Sequence, residues 1–227
     1  DVSPLANGML FGTNDFSKEM KDLFRVSGIS HIVVLSGFNI AVVVSFLLLL
    51  FSLIPFTLRI FLTGLFTLAF VVMVGAEPSA VRAFVMALIA LLALYSGREY
   101  VSKQALIISL FVMSFYDTSF LLNSVSFHLS FLATAGIVYL SPLIMKYLEK
   151  FKKFHFMKEV IATTLAATVA TLPYIIFVFG FISTYALITN LIIIPLVPLT
   201  MLLATLVILF SFMSSFIATA VGVVTTL

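Results

Sequence analysis

The stretch His31-Ile32-Val33-Val34-Leu35-Ser36-Gly37-Phe38-Asn39-Ile40-Ala41-Val42-Val43-Val44-Ser45-Phe46-Leu47-Leu48-Leu49-Leu50-Phe51-Ser52-Leu53-Ile54 contains no Asp, Glu, Lys or Arg and is closed by Pro55. About 20 such residues suffice for a helix to cross the hydrocarbon core of a bilayer. A strand of a membrane barrel would alternate in polarity over units of roughly ten residues. This run is continuous, so it reads as a helix, with every backbone polar group satisfied within the segment.

Further apolar runs follow in series. They cover about 58–75, 78–96 (opened by Pro78 and closed by Gly97), 103–116, 121–145, 159–179 and 183–211. The 103–116 run is short, and a partial helix around Leu121-Leu122 leads into the 121–145 run. Pro78 suits the first turn of a helix. Pro173 predicts a kink in the sixth run, because an internal proline removes a backbone donor. The seventh is too long for one straight span and holds Asn190, Pro195 and Pro198, which predicts a broken helix. Residues 213–227 begin an eighth apolar run. The fold predicted is all-α: a polytopic transmembrane bundle of about seven to eight spans.

Composition agrees. The 227 residues are 63% hydrophobic and 9% charged, with mean hydropathy +1.28. A soluble domain carries about 25% charged residues. The 25 Phe and absence of Trp leave Phe and Tyr to face lipid and its interfaces. There are no cysteines, which excludes disulfides, zinc–thiolate sites and thiol nucleophiles.

Residues 1–28 differ from the rest. Asp15 to Phe24 places Phe16, Met20, Leu23 and Phe24 at helical spacing with charges opposite. An amphipathic helix at the membrane surface is predicted there. The domain plan is therefore an extracytoplasmic segment at 1–28 and a transmembrane domain at 29–227. The start at Asp1 and the end within an apolar run read as a segment of a longer protein, truncated at its C-terminus.

The charges give the bundle a direction. One set of loops holds Arg59, Arg98, Lys103, Lys146, Lys150, Lys152, Lys153 and Lys158 against Glu99, Glu149 and Glu159. The other side holds Lys18, Lys21, Arg25 and Arg82 against Asp1, Asp15, Glu19, Asp22, Glu77 and Asp117. Positive loops stay in the cytoplasm, so the N-terminus is predicted outside and the 146–159 loop inside. The aromatics and lysines of that loop suit anionic lipid, with a nucleic-acid contact as the other reading.

Three polar clusters need an explanation, because polar groups inside a span are costly and face the bundle interior or water. The first is Gly28, His31, Ser36, Gly37 and Asn39, with Ser36 and Asn39 on one helix face. It reads either as interhelical hydrogen bonding with small-residue packing or as the lining of a pore. The second is Gly75, Glu77, Pro78, Ser79 and Arg82. Glu77 and Arg82 read either as a structural ion pair or as a cationic site in an aqueous vestibule. The third is Asn123, Ser124, Ser126, His128 and Ser130, where a lone His is most simply a hydrogen-bonded core residue. No metal-ligand spacing links His31, Glu77 and His128. No nucleophile elbow, zinc helix, P-loop or dinucleotide fingerprint is present, which argues against an enzyme.

Taken in order, these motifs resemble the ComEC-type competence domain. Gly28-x-x-His31 with Leu35-Ser36-Gly37-Phe38-Asn39-Ile40 resembles its opening motif, and Gly75-x-x-x-Ser79-x-x-Arg82-Ala83 its second. Gly97-Arg98, Phe127-His128-Leu129-Ser130-Phe131-Leu132-Ala133 and Asn190-Leu191 to Pro195-Leu196 resemble three later ones. Asn39 stands where many members carry His, His128 where Gln is usual, and Ser126 where Gly is common. The resemblance implies a multi-pass protein of the bacterial inner membrane that passes single-stranded DNA into the cytoplasm during natural transformation. It implies no cofactor or metal in this segment, with any nuclease in a separate domain. The implied partners are single-stranded DNA, the lipid bilayer and other competence proteins such as a DNA receptor and a cytoplasmic helicase. His31, Ser36, Asn39, Glu77, Arg82, His128, Ser130 and Asn190 are the candidates for the DNA path. Two other functions fit the same pattern: a transporter for small solutes or lipid-linked precursors, and a structural membrane anchor for soluble domains. Convergence of the polar side chains separates a path from an anchor.

Overall fold

A computed structural model describes residues 37–116, 118–148, 155–180, 186–193 and 196–201, and these are helical or form the turns between helices. The helices are α1 (Gly37–Leu50), α2 (Phe56–Met73), α3 (Pro78–Ser96), α4 (Ser102–Tyr116), α5 (Thr118–Asn123), α6 (Val125–Leu148), α7 (His155–Phe179) and α8 (Ala186–Ile193). Among the described residues there is no strand. Four helices are long and apolar enough to cross a membrane: α2, α3, α6 and the Met157–Phe179 part of α7. α1 and α4 are shorter apolar helices. This is a polytopic helical membrane protein.

The sequence-derived boundaries compare closely in the middle of the chain. The third run is α3 from Pro78 to Ser96, closed by Gly97 in the left-handed conformation at φ 66°. Glycine takes that conformation without a Cβ clash, and it ends a helix by returning amides to the last carbonyls; here Gly97 and Arg98 N–H reach Leu94 and Ala93. The partial helix before the fifth span is α5, and Ser124 then caps α6 by accepting the Phe127 N–H on its Oγ at 3.1 Å. α7 begins at His155, earlier than the apolar run suggested, and carries Pro173 inside it. The amphipathic helix predicted within 1–28, Gly28, His31, Ser36, residues 149–154 of the 146–159 loop and the run from 213 lie outside the described residues. Residues 196–201, including Pro198, are also helical. Ile194 and Pro195, and with them the expected break, lie outside the described set.

Packing follows the logic of a bundle in lipid. Small residues take a large share of the buried positions, among them Ala80, Ala105, Ala162, Ala166, Thr63, Thr67 and Ser109, beside larger apolar side chains such as Ile40 and Met113. Large apolar side chains point outward, with Phe177 at 86% and Phe115 at 77% exposure. Lipid is as apolar as Leu, so helices gain by close backbone approach and interhelical contact rather than by hiding large side chains. α3 is central and touches α1, α2, α4 and α6; α6 and α7 form the most extensive pair. At that seam Gly136 lies directly against the backbone of Ala166.

The turn between α2 and α3 places the second polar cluster. Gly75 (φ 87°) and Ala76 (φ 51°) are both left-handed, and the Ala76 N–H returns to the Val71 carbonyl at 2.9 Å. Alanine in this region costs about 1–2 kcal/mol. The turn delivers Glu77 as the residue capping α3 and Pro78 as its first residue. One turn further on is Arg82.

Candidate functional site

Arg82 is 8% exposed. Its Nη1 donates to the backbone carbonyl of Ser130 on α6. That carbonyl also accepts the Thr134 hydroxyl at 2.9 Å. The guanidinium carbon lies 5.9 Å from the centre of the Phe131 ring, within range of a cation–π attraction. On the α1 side, Nη2 fills the space where a side chain at Gly37 would begin. Three helices, α1, α3 and α6, therefore meet around one cation.

The cation is under-partnered. A guanidinium has five N–H donors. Among the described residues, its hydrogen bond goes to the Ser130 carbonyl, and Nε is buried without a partner. No described carboxylate pairs with it. Glu77, which the sequence offered as an ion-pair partner, instead sits at the start of α3, and its side chain makes no capping hydrogen bond. The ion-pair reading of this pair is therefore not realised. Burial pushes the Glu77 carboxyl above its ordinary value. In the loop after α3, burial also pushes the Tyr100 phenol up, while a hydrogen bond with Ser102 and the positive charge of Arg82 act in the other direction.

His128 is placed differently. Its Nε2 lies 2.7 Å from the Leu121 carbonyl and its Nδ1 2.6 Å from the Tyr174 hydroxyl. A carbonyl only accepts, so Nε2 carries a proton and donates. In the neutral ring, Tyr174 then donates to Nδ1. The two bonds tie α6 back to α5 and across to α7. Residues 128 and 130 are about 200° apart around a helix of 3.6 residues per turn, so His128 faces α7 while the Ser130 backbone faces Arg82. Among the described residues, no three His, Asp or Glu side chains are grouped as a metal site.

Of the other candidates, Asn39 is fully buried on α1 beside Ile40, and Ser79 lies one turn before Arg82. Arg98 is exposed just beyond α3. Asn190 lies in α8, with its side chain outside the described set. The structure thus brings Arg82 and Ser130 together and turns His128 away. It adds three residues that sequence reasoning did not single out for this role: Phe131 under the cation, Thr134 on the shared carbonyl and Tyr174 on His128. Only Phe131 had a signal, as a residue within the quoted motif. Thr134 is one turn after Ser130, and Tyr174 is marked by nothing but its neighbour Pro173.

A family model described as Competence protein matches residues 9–227. No curated protein and no solved structure matches the chain.

Proposed function

This chain belongs to the competence protein family, and from that premise we propose that it is the inner-membrane domain that conducts single-stranded DNA into the cytoplasm, with Arg82 as a contact for the strand's phosphates. The observation that carries the reading is the buried guanidinium with unused donors and no carboxylate among the described residues. An unpaired buried charge is strongly unfavourable, and intramembrane charges mark substrate pathways. A phosphodiester supplies the missing anion. Its oxygens match the planar fork of Arg, and both charge and hydrogen bonding gain strength away from bulk water. The Ser130 carbonyl is a neutral partner that a phosphate can displace. Phe131 supports the guanidinium face, so the cation remains held when that bond is exchanged.

The loop charges support an orientation with the N-terminus outside the cell and the 146–159 loop in the cytoplasm. The Arg82 site, near the start of α3, then lies toward the outer face, where a strand enters. Single cysteines introduced into this cysteine-free chain and labelled from either side test that orientation; labelling of the 146–159 loop from outside would reverse it.

The functional test is uptake of labelled single strands by cells carrying Arg82→Gln or Arg82→Lys. Uptake with Gln falls by roughly tenfold or more, the weight of one charge-assisted contact, at unchanged protein level in the membrane. Lys keeps the charge without the fork and retains part of the activity. Normal uptake and normal folding with Gln would remove Arg82 from the path.

A further inference from the structure

Gly37 opens the described part of α1 and lies against Arg82. A Cβ built on it would stand 2.7 Å from Arg82 Nη2, 3.3 Å from Ala83 Cβ and 3.9 Å from Arg82 Cζ. We propose that Gly37 is a positioning residue for the Arg82 cation: its missing side chain leaves the space in which Nη2 lies while Nη1 reaches the Ser130 carbonyl on α6. This deepens the reading of Arg82 as a phosphate contact and rests on it.

The kind of obstacle decides the role. At Gly136 an added Cβ meets the Ala166 carbonyl oxygen at 2.5 Å, so backbone has to move. At Gly64 it meets only Leu88 and Leu91 Cδ1 at 3.9 Å, which is ordinary contact. At Gly37 the nearest obstacle is the tip of a long side chain. The Ala83 methyl at 3.3 Å asks for a few tenths of an ångström. Alanine at 37 therefore moves the guanidinium and leaves the helices in place. Nη1 and Nη2 belong to one rigid plane, so moving Nη2 also takes Nη1 from the Ser130 carbonyl and shifts the plane over Phe131. The unused donors are then offered in a different direction. A misplacement of this order at a positioned group carries a large functional cost.

The test uses a substitution that removes the clashing atoms. Lysine has no Cζ, Nη1 or Nη2. Gly37→Ala is made in the Arg82 protein and in Arg82→Lys, with Gly64→Ala as the control. Each is read by labelled single-strand uptake in cells and by the thermal midpoint of the purified, detergent-solubilised protein. In the Arg82 protein, Gly37→Ala lowers the midpoint by roughly 3–10 °C, the scale of one charge-assisted hydrogen bond in a chain of this size. It lowers uptake by roughly tenfold. In the Arg82→Lys background it changes neither beyond the Gly64→Ala control. An equal cost in the two backgrounds makes Gly37 a helix-packing residue and overturns the proposal. A midpoint effect confined to the Arg82 protein, with unchanged uptake, supports the positioning role and counts against the DNA reading of Arg82 instead.

Discussion

Replacement of Gly136 by Ala tests how the bundle is held together. The added Cβ falls 2.5 Å from the Ala166 carbonyl oxygen, 3.1 Å from its carbonyl carbon and 2.6 Å from Ala170 Cβ. Carbon–oxygen contacts between helices settle at about 3.3–3.6 Å, so α6 and α7 have to part by about 1 Å there. Ala162 and Ala166 are fully buried along the same seam. A gap of 0.5–1 Å forfeits roughly a quarter to a half of the dispersion well for each lining atom pair, and overpacking of this kind costs about 1–3 kcal/mol. Ala also favours helix over Gly by about 1 kcal/mol. That gain applies equally at Gly64, where there is room for the methyl. The difference between Gly136→Ala and Gly64→Ala therefore isolates the steric cost. At about 2–4 °C per kcal/mol for a chain of this length, Gly136→Ala melts roughly 2–12 °C below Gly64→Ala in detergent. Indistinguishable midpoints would refute the close α6–α7 approach.

Two further outcomes follow from the bonds and burial described. A double-mutant cycle of His128→Ala and Tyr174→Phe gives a coupling of about 0.6–1.7 kcal/mol, the range for interhelical hydrogen bonds in membranes; additive effects would break the pairing. Burial raises the Glu77 carboxyl above 4.5, so in the window from 4.5 to the raised value the folded chain binds this proton more tightly than the unfolded one. Stability from this group is greatest at low pH and falls as pH rises through that window. Glu77→Gln flattens that fall in the thermal midpoint, and a slope that survives the substitution assigns it elsewhere.

The run from His31 to Ile54 and its successors made the helical membrane fold legible, because hydrophobic length is a property of the chain itself. Pro78, Gly97 and the Leu121-Leu122 entry marked element ends through backbone chemistry that acts locally. The site was legible only in part. Arg82 stood out as an intramembrane charge, and Ser130 as a polar residue in a motif. That they meet, through a backbone carbonyl rather than the Ser hydroxyl, depends on how α3 crosses α6, which no local pattern encodes. Spacing allowed a Glu77–Arg82 pairing, but Glu77 sits at the N-cap of α3 and the guanidinium points to α6. His128 shared a motif with Ser130, yet helical rotation sends it to Tyr174. Gly37, Arg82, Ser130 and Phe131 meet from three helices, but of the polar side chains whose convergence was to separate a path from an anchor, His128 turns away and His31 lies outside the described residues.

The contact between Gly136 and Ala166 also sets the width of the seam between α6 and α7. Two backbones in direct contact leave no width for a nucleotide, so the seam between α6 and α7 acts as a wall. Elsewhere α6 is joined through side chains, to α3 by the Arg82 guanidinium and to α4 by Lys103, whose ammonium lies 5.2 Å from the centre of the Tyr139 ring.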